Sequence, residues 1–358
     1  MTACVVIAGG GTGGHVFPGL AVASRLQERG VEVRWLGARR GLEAKLVAEH
    51  DLPLTLVDIE GVHARRPAAA VRALGLMPRA VAASLKVMLV TDPVAVLGVG
   101  GYASAAGLLA GGLLGVPCVL QEQNSIPGWT NRMLAPWADL ICCGFADGVA
   151  RFPSLPAEWT GNPVREEFFE VPEVRPQTPP RLLVLGGSQG SLYLNRTLPR
   201  ALQLLKRRGI EPSVVHQAGS RWVDVVRTSY ADVRIDVTVA SFLDAPWEQM
   251  IGADLVVARA GALTVSELAA AGRGAVLIPF AAAAGNHQEY NARSLEKAGG
   301  ARVLLEGEAT PERIADLLTA LFADPNGIAA MGQRARSVAL PGAAERIASR
   351  LLAVGGVP

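Results

Sequence analysis

Val5 to Gly19 read VVIAGGGTGGHVFPG: a short apolar run, five glycines within six residues, then a histidine. Aliphatic residues that stop at glycines and resume with helical spacing predict a strand, a tight turn and a helix. Without side chains the turn lets a ligand approach the main chain, and the free N–H groups that open the helix attract anions. His15 adds a ring whose ordinary pKa lies near neutrality.

The same design recurs along the chain. "CVVIAG", "VEVRWLG", "LTLVDI", "VAVLGVG", "PCVLQEQ" and "LICCGF" alternate with helical stretches, the rhythm of a doubly wound parallel sheet. Near residue 161 the rhythm breaks at "WTGNPVREEFFEVPEVRPQTPPR", a proline-rich, charged linker whose "TGNPVR" suits a hinge. From Arg181, "RLLVLGGSQGSLYLNRTLPRALQLL" repeats the opening strand, turn and helix, and "PSVVHQAG", "IDVTVASF", "DLVVARAG" and "AVLIPF" supply further strands. At 358 residues the chain is long enough for two domains. The pattern predicts an α/β protein of two Rossmann-like domains facing a cleft, residues 1–162 and 163–340. The last helical stretch, 341–358, fits either domain by pattern alone.

Composition narrows the function. Charged residues make up 18% and the net charge is +2, with no arginine-rich block, which argues against nucleic acid as a partner. Cys4, Cys118, Cys142 and Cys143 form no C-x-x-C pair, so reduced thiols in a cytosolic protein are expected, and no metal site. No basic residue precedes the N-terminal apolar run, which reads as a strand and not as a signal peptide. Pro93 to Leu120 carries no charge over 28 residues, but seven glycines and Pro117 interrupt it. It reads as buried strand, glycine turn, helix and buried strand.

Four glycine turns fall where a predicted strand meets a helix: Gly9–His15, Gly98–Ser104, Gly186–Ser191 and Arg259–Glu267. The carboxyl ends of strands are where open α/β sheets bind ligands, so a phosphorylated substrate is expected. None of the turns matches G-x-x-x-x-G-K-[ST], and Trp35-Leu36-Gly37 stands where a dinucleotide site would place its acidic ribose ligand.

"GGGTGGHVFPGLAVA", "GVGGYAS", "EQNSIPGWTNR", "GGSQGS", "RAGALTVSELAAAG" and "NHQEYNA", in that order, resemble the MurG family of UDP-N-acetylglucosamine transferases. The resemblance spans essentially the whole chain. It implies a GT-B fold with the C-terminal helix returning to the N-terminal domain. The implied reaction is inverting transfer of N-acetylglucosamine from UDP-GlcNAc to the 4-hydroxyl of the muramyl sugar of undecaprenyl-pyrophosphoryl-MurNAc-pentapeptide (lipid I), giving lipid II for peptidoglycan, without a cofactor. The implied location is the cytoplasmic face of the bacterial membrane, as a peripheral protein in reach of other cell-wall enzymes.

The resemblance also implies roles for residues. Ser188 with its neighbours Gln189 and Gly190 matches the donor diphosphate site, Glu267 the ribose ligand, Leu243 the backbone contact to uracil, and Arg165 a residue near the base. Gln288 and Asn124 match the sugar-hydroxyl ligands, and the first glycine turn, with Thr12, Gly13 and Gly14, faces the acceptor diphosphate. Tyr102, Ala262, Leu263, Thr264, His287 and Asn291 are implied as further substrate-binding residues. The chemistry agrees for two of them: a carboxylate at Glu267 accepts from vicinal hydroxyls, and the Gln288 amide both donates and accepts. His15 is the implied general base, against the alternative of a ring merely hydrogen-bonded to backbone. Glu122 is the second candidate base, against the alternative of a buried carboxylate ordering Asn124 and Thr130. Gln121 stands where the family's H-E-Q-N tract has histidine, which excludes a base there. Other readings are another GT-B enzyme on a UDP-sugar, such as a 2-epimerase or a glycolipid transferase, and a non-catalytic nucleotide-sugar or lipid-binding subunit.

His63 to Leu89 place Arg65, Arg66, Arg72, Arg79 and Lys86 among Leu74, Leu76, Met77, Val81 and Leu85, with no acidic residue. Ordinary helices with solvated arginines are one reading. The other, favoured by the resemblance, is a surface resting on an anionic membrane leaflet, with basic residues and exposed aliphatics both engaged.

Overall fold

In the first sheet the strands are β1 (Cys4–Ala8), β2 (Glu32–Ala38), β3 (Leu54–Val57), β4 (Ala95–Gly98), β5 (Cys118–Glu122), β6 (Leu140–Cys143) and β7 (Ala157–Trp159), in the order β3-β2-β1-β4-β5-β6-β7. The second holds β8 (Arg181–Leu185), β9 (Ser213–Gln217), β10 (Val237–Ala240), β11 (Leu255–Ala258), β12 (Ala275–Leu277) and β13 (Ala301–Val303), in the order β10-β9-β8-β11-β12-β13. Every pairing is parallel. This computed structural model describes residues 2–11, 13–39, 43–59 and 67–357, and at 67–74 and 284 the backbone alone.

β1, β4, β5 and β11 are buried along their whole length because helices cover both faces of a parallel sheet, and they are apolar runs except where β5 ends on Gln121 and Glu122. Two strands escape the sequence pattern, β7 and β13. Each has three residues at a sheet edge and at least one that is not buried, too short for a period to show.

The chain divides into Met1–Val164 with Gly342–Pro358, and Arg165–Pro341. In the first unit the helix Ala343–Val354 buries Ile347, Ala348, Leu351 and Leu352 in one cluster with Val5, Ile7 and Leu20. Arg350 Nε pairs with Glu158 at 2.8 Å, and Arg346 Nη1 donates to the Thr160 carbonyl at 2.8 Å. The uncharged segment 93–120 is β4, a glycine turn, the helix Tyr102–Leu114 and β5. Among the described residues no helix is long and apolar enough to cross a membrane.

Strand order also explains the glycine turns. Connections leave β1 and β4 in opposite directions across the first sheet, and β8 and β11 do the same in the second, which makes each pair a topological switch point. The four turns are the loops that leave these four strands.

Candidate functional site

In the first unit the two switch-point turns support each other. Gly10 N donates to the Gly100 carbonyl at 3.3 Å, and Trp35 Nε1, fully buried, donates to the Gly9 carbonyl at 3.0 Å. Gly100 has φ of 99°, and a Cβ there would stand 2.6 Å from His15 Nδ1, so glycine is required both by the backbone and by the ring packed over it. The carboxylate of Glu43, with no exposed surface, accepts from Gly11 N and Ala38 N, each at 2.8 Å. Sequence reading missed this brace, because Glu43 lies 32 residues from the turn it holds.

His15 sits in the first turn of the helix Gly13–Glu28, half-buried, with Nδ1 3.2 Å from Gln123 Oε1. Its partner is thus a side chain beyond the end of β5, and not the backbone. Gly13 is buried and Gly14 exposed at the same helix start, while Thr12 lies outside the described residues. Tyr102 opens the helix Tyr102–Leu114 and, partly buried, packs against the cluster of Val57, Ile59, Ala80, Ala103 and Ala106.

Glu122 is 1% exposed and both its oxygens are engaged. Oε1 accepts from Asn124 N at 2.8 Å and Asn124 Nδ2 at 3.1 Å, and Oε2 from Gly128 N and Asn131 Nδ2, each at 2.9 Å. A carboxylate with four donors is an anchor for the loop 123–128, which is the alternative reading of Glu122 as a buried carboxylate ordering Asn124. The partner is Asn131 and not Thr130.

In the second unit Gly187 and Gly190 have φ of 84° and 73°, and a Cβ on Gly190 would run into the Ala218 carbonyl. Ser188 and Gln189 are exposed at the tip of this turn. Ser191 caps the helix Leu192–Arg207, its Oγ accepting from Leu194 N at 3.3 Å. The same Oγ accepts from Arg259 Nε at 2.8 Å. Arg259 is buried, donates from Nη1 to the Ile278 carbonyl at 3.0 Å and pairs with Glu306 at 2.7 Å. Burial lowers its pKa, and Glu306 works against that shift. Arg259 therefore ties one switch-point turn to the other, a role that sequence reading did not give it.

Gln288 Oε1 accepts from Phe280 N at 2.9 Å and Ala260 N at 3.3 Å, which leaves its amide N–H groups as the donors on offer. Asn291 was expected to contact substrate. It has no exposed surface and donates to the Ala260 carbonyl at 3.2 Å, so it supports the turn from behind. His287 begins the helix His287–Lys297 and is half-buried. The helix Ala262–Ala271 starts at Gly261 without a side-chain cap, so its first amides, at Ala262, Leu263 and Thr264, keep their donors for a ligand or water.

Glu267, one turn further along, is partly buried, and desolvation raises its carboxyl to about 7 against the pull of Arg165. Arg165 Nη1 donates to the Asp244 carbonyl at 2.9 Å, next to Leu243, and its Cζ lies 4.0 Å from the centroid of the Trp247 ring. Trp247 meets Phe168 edge-on at 5.6 Å. Arg165, Leu243 and Glu267, separated by up to 102 residues in the chain, thus form one neighbourhood. Trp247 belongs to it too, although nothing in its local sequence marked it.

In Pro67–Thr91, a single helix, the residues expected to meet a membrane divide. Arg79 and Lys86 are exposed, but Leu76, Met77, Val81 and Leu85 are partly buried, and Met77, Val81 and Leu85 pack on the core, which corrects their reading as exposed aliphatics. Exposed apolar surface lies instead at Leu89 and Val90. His63, Arg65 and Arg66 lie outside the described residues, as do the side chains of Arg72 and Leu74.

Residues 5–142 match the glycosyltransferase family 28 N-terminal domain and residues 181–347 its C-terminal domain. The chain is 43% identical to the UDP-N-acetylglucosamine--N-acetylmuramyl-(pentapeptide) pyrophosphoryl-undecaprenol N-acetylglucosamine transferase of Nitrosococcus oceani, over 98% of each chain. It is 42% identical to the protein of the same name from Cupriavidus necator, over 96% of each. Among solved structures it is similar to MurG of Acinetobacter baumannii, with a TM-score of 0.81 and 32% identity, covering 98% of this chain and 99% of that one.

Proposed function

The chain belongs to the MurG family within glycosyltransferase family 28, and from that premise we propose how its residues divide the work. It is a UDP-GlcNAc-dependent hexosyltransferase that moves N-acetylglucosamine onto lipid I, forming lipid II. The observation that carries this function is identity above 40%, over nearly the whole chain, with transferases of that name. An epimerase or a binding subunit is not favoured.

The donor is assigned to the second unit. Ribose hydroxyls donate to the Glu267 carboxylate, uracil lies against the Leu243 backbone beside Arg165, and the diphosphate meets the turn at Ser188–Gly190 and the uncapped amides at Ala262–Thr264. The Gln288 amide donates to a sugar hydroxyl. The acceptor diphosphate is assigned to the glycine turn at Gly13–Gly14. In the reaction the acceptor 4-hydroxyl attacks the anomeric carbon, and its proton passes to His15 Nε2. The C1–O bond to UDP breaks with its electron pair going to the β-phosphate oxygen, which oriented N–H donors stabilise. One displacement inverts the anomeric configuration. Supporting His15 as base are its half-exposed ring and its fixed Nδ1; Glu122 has no oxygen to spare.

We assign the protein to the cytoplasmic membrane surface as a peripheral protein, through the basic residues of 65–86 and the apolar end at Leu89 and Val90. Purified protein incubated with UDP-GlcNAc and a short-chain lipid-linked muramyl-pentapeptide should yield a product heavier by one N-acetylhexosamine in mass spectrometry. Hydrolysis or epimerisation of UDP-GlcNAc without that product would refute the reading.

A further inference from the structure

We propose that three buried amides, Asn162, Gln121 and Gln123, form a polarised relay that holds His15 in the tautomer with the proton on Nδ1. The relay deepens the reading of His15 as general base and rests on it. Amide oxygen and nitrogen are distinguished here by partners that can only accept. Gln123 Nε2 lies 2.8 Å from the Val99 carbonyl, and a carbonyl has no proton to give, so nitrogen must face it and Oε1 must face His15. Asn162 Nδ2 lies 2.9 Å from the Gln123 carbonyl, which by the same rule turns its Oδ1 toward Gln121. Gln121 Nε2 then donates to Asn162 Oδ1 at 3.3 Å, and its Oε1 accepts from Gln123 Nε2. Two backbone carbonyls thus set the direction of the whole chain of amides.

At its end stands Gln123 Oε1, 3.2 Å from His15 Nδ1. Only an N–H can face that oxygen, so Nδ1 carries the proton and Nε2 presents its lone pair. The amides are buried, at 0%, 2% and 4% exposure for Gln121, Gln123 and Asn162, so water does not compete for these bonds. None of the three titrates, and the preference therefore holds wherever the His15 ring is neutral, unlike one imposed by an ionisable partner. Gln121, Gln123 and Asn162 are positioning residues: buried, they act through His15.

The test is nitrogen-15 NMR of the full chain with labelled histidine, His15 being assigned by its loss in His15→Ala. The neutral ring should show a protonated Nδ1 and a bare Nε2. Gln123→Leu should release the ring to a mixture rich in protonated Nε2 and lower kcat about 10- to 100-fold, with KM for UDP-GlcNAc unchanged. Should Gln123→Leu fail to fold, Gln123→Met, which keeps the length of the side chain but has no oxygen to face Nδ1, takes its place with the same expected direction. A protonated Nε2 in the parent protein overturns the relay, and so does an unchanged tautomer in the folded variant. A protonated Nδ1 together with full turnover in His15→Ala would leave the relay standing and retire His15 as the base.

Discussion

The guanidinium carbon of Arg165 stands over the Trp247 ring, 4.0 Å from its centroid, while Nη1 donates to the carbonyl of Asp244 at 2.9 Å. The aromatic face fixes a charged group that would otherwise sample many rotamers, and it does so beside the residues assigned to the nucleoside. Trp247→Ala should therefore weaken UDP binding by about 1–2 kcal/mol in titration calorimetry, with Trp247→Phe intermediate. Equal affinities for parent and Ala variant would detach this stack from the nucleotide.

Glu267 links nucleotide binding to pH. Burial raises its carboxyl from the ordinary 4.5 to about 7, so between these values the folded state holds a proton that the unfolded chain has released. Its contribution to stability is present below about 4.5 and is lost as pH rises through about 7. Glu267→Gln should consequently gain about 2–3 kcal/mol over the parent at alkaline pH and little in acid, measured by urea unfolding at both.

In the proposed donor site the same carboxylate, when ionised, offers both oxygens to the two ribose hydroxyls. UDP affinity should rise with pH through about 7 in the parent and lose that part of its dependence in Glu267→Gln. Glu267→Ala should cost about 1.5–3 kcal/mol of UDP binding and narrow the preference over 2′-deoxy-UDP. Equal losses for the two nucleotides would place the effect away from the ribose.

His15 and Glu122 separate by what each substitution damages. His15→Ala should lower kcat by about 10²–10⁴ with little change in donor affinity, read by steady-state kinetics. Glu122→Gln replaces an acceptor with a donor facing N–H groups and should lower stability by about 2–4 kcal/mol in denaturant unfolding. A stable Glu122→Gln variant with abolished turnover would reverse the two roles.

Charge reversal of Arg72, Arg79 and Lys86 should reduce co-sedimentation with anionic liposomes at low salt. It should slow transfer to a membrane-embedded acceptor and spare transfer to a water-soluble short-chain acceptor. Parent-like binding by the triple variant would move the membrane contact elsewhere.

Much of this protein is legible in one dimension. Glycine after an aliphatic run marks a strand end because only the backbone is involved, and the turns at Gly9, Gly98, Gly186 and Arg259 could be read, with the parallel α/β rhythm around them. His15 stood out for its chemistry beside such a turn, and Glu267 through the family resemblance, with which its chemistry agrees. Tertiary structure alone decided what depends on pairing at a distance. It put the helix Ala343–Val354 in the unit of β1, because its apolar stripe is buried there. It turned Glu122 and Asn291 into buried anchors, enlisted Glu43, Arg259 and Trp247, and aimed Gln123 at His15. The physical reason is that a polar side chain's role is set by which donors and acceptors surround it and by whether water reaches it, and neither is a property of the residue or of its neighbours in the chain.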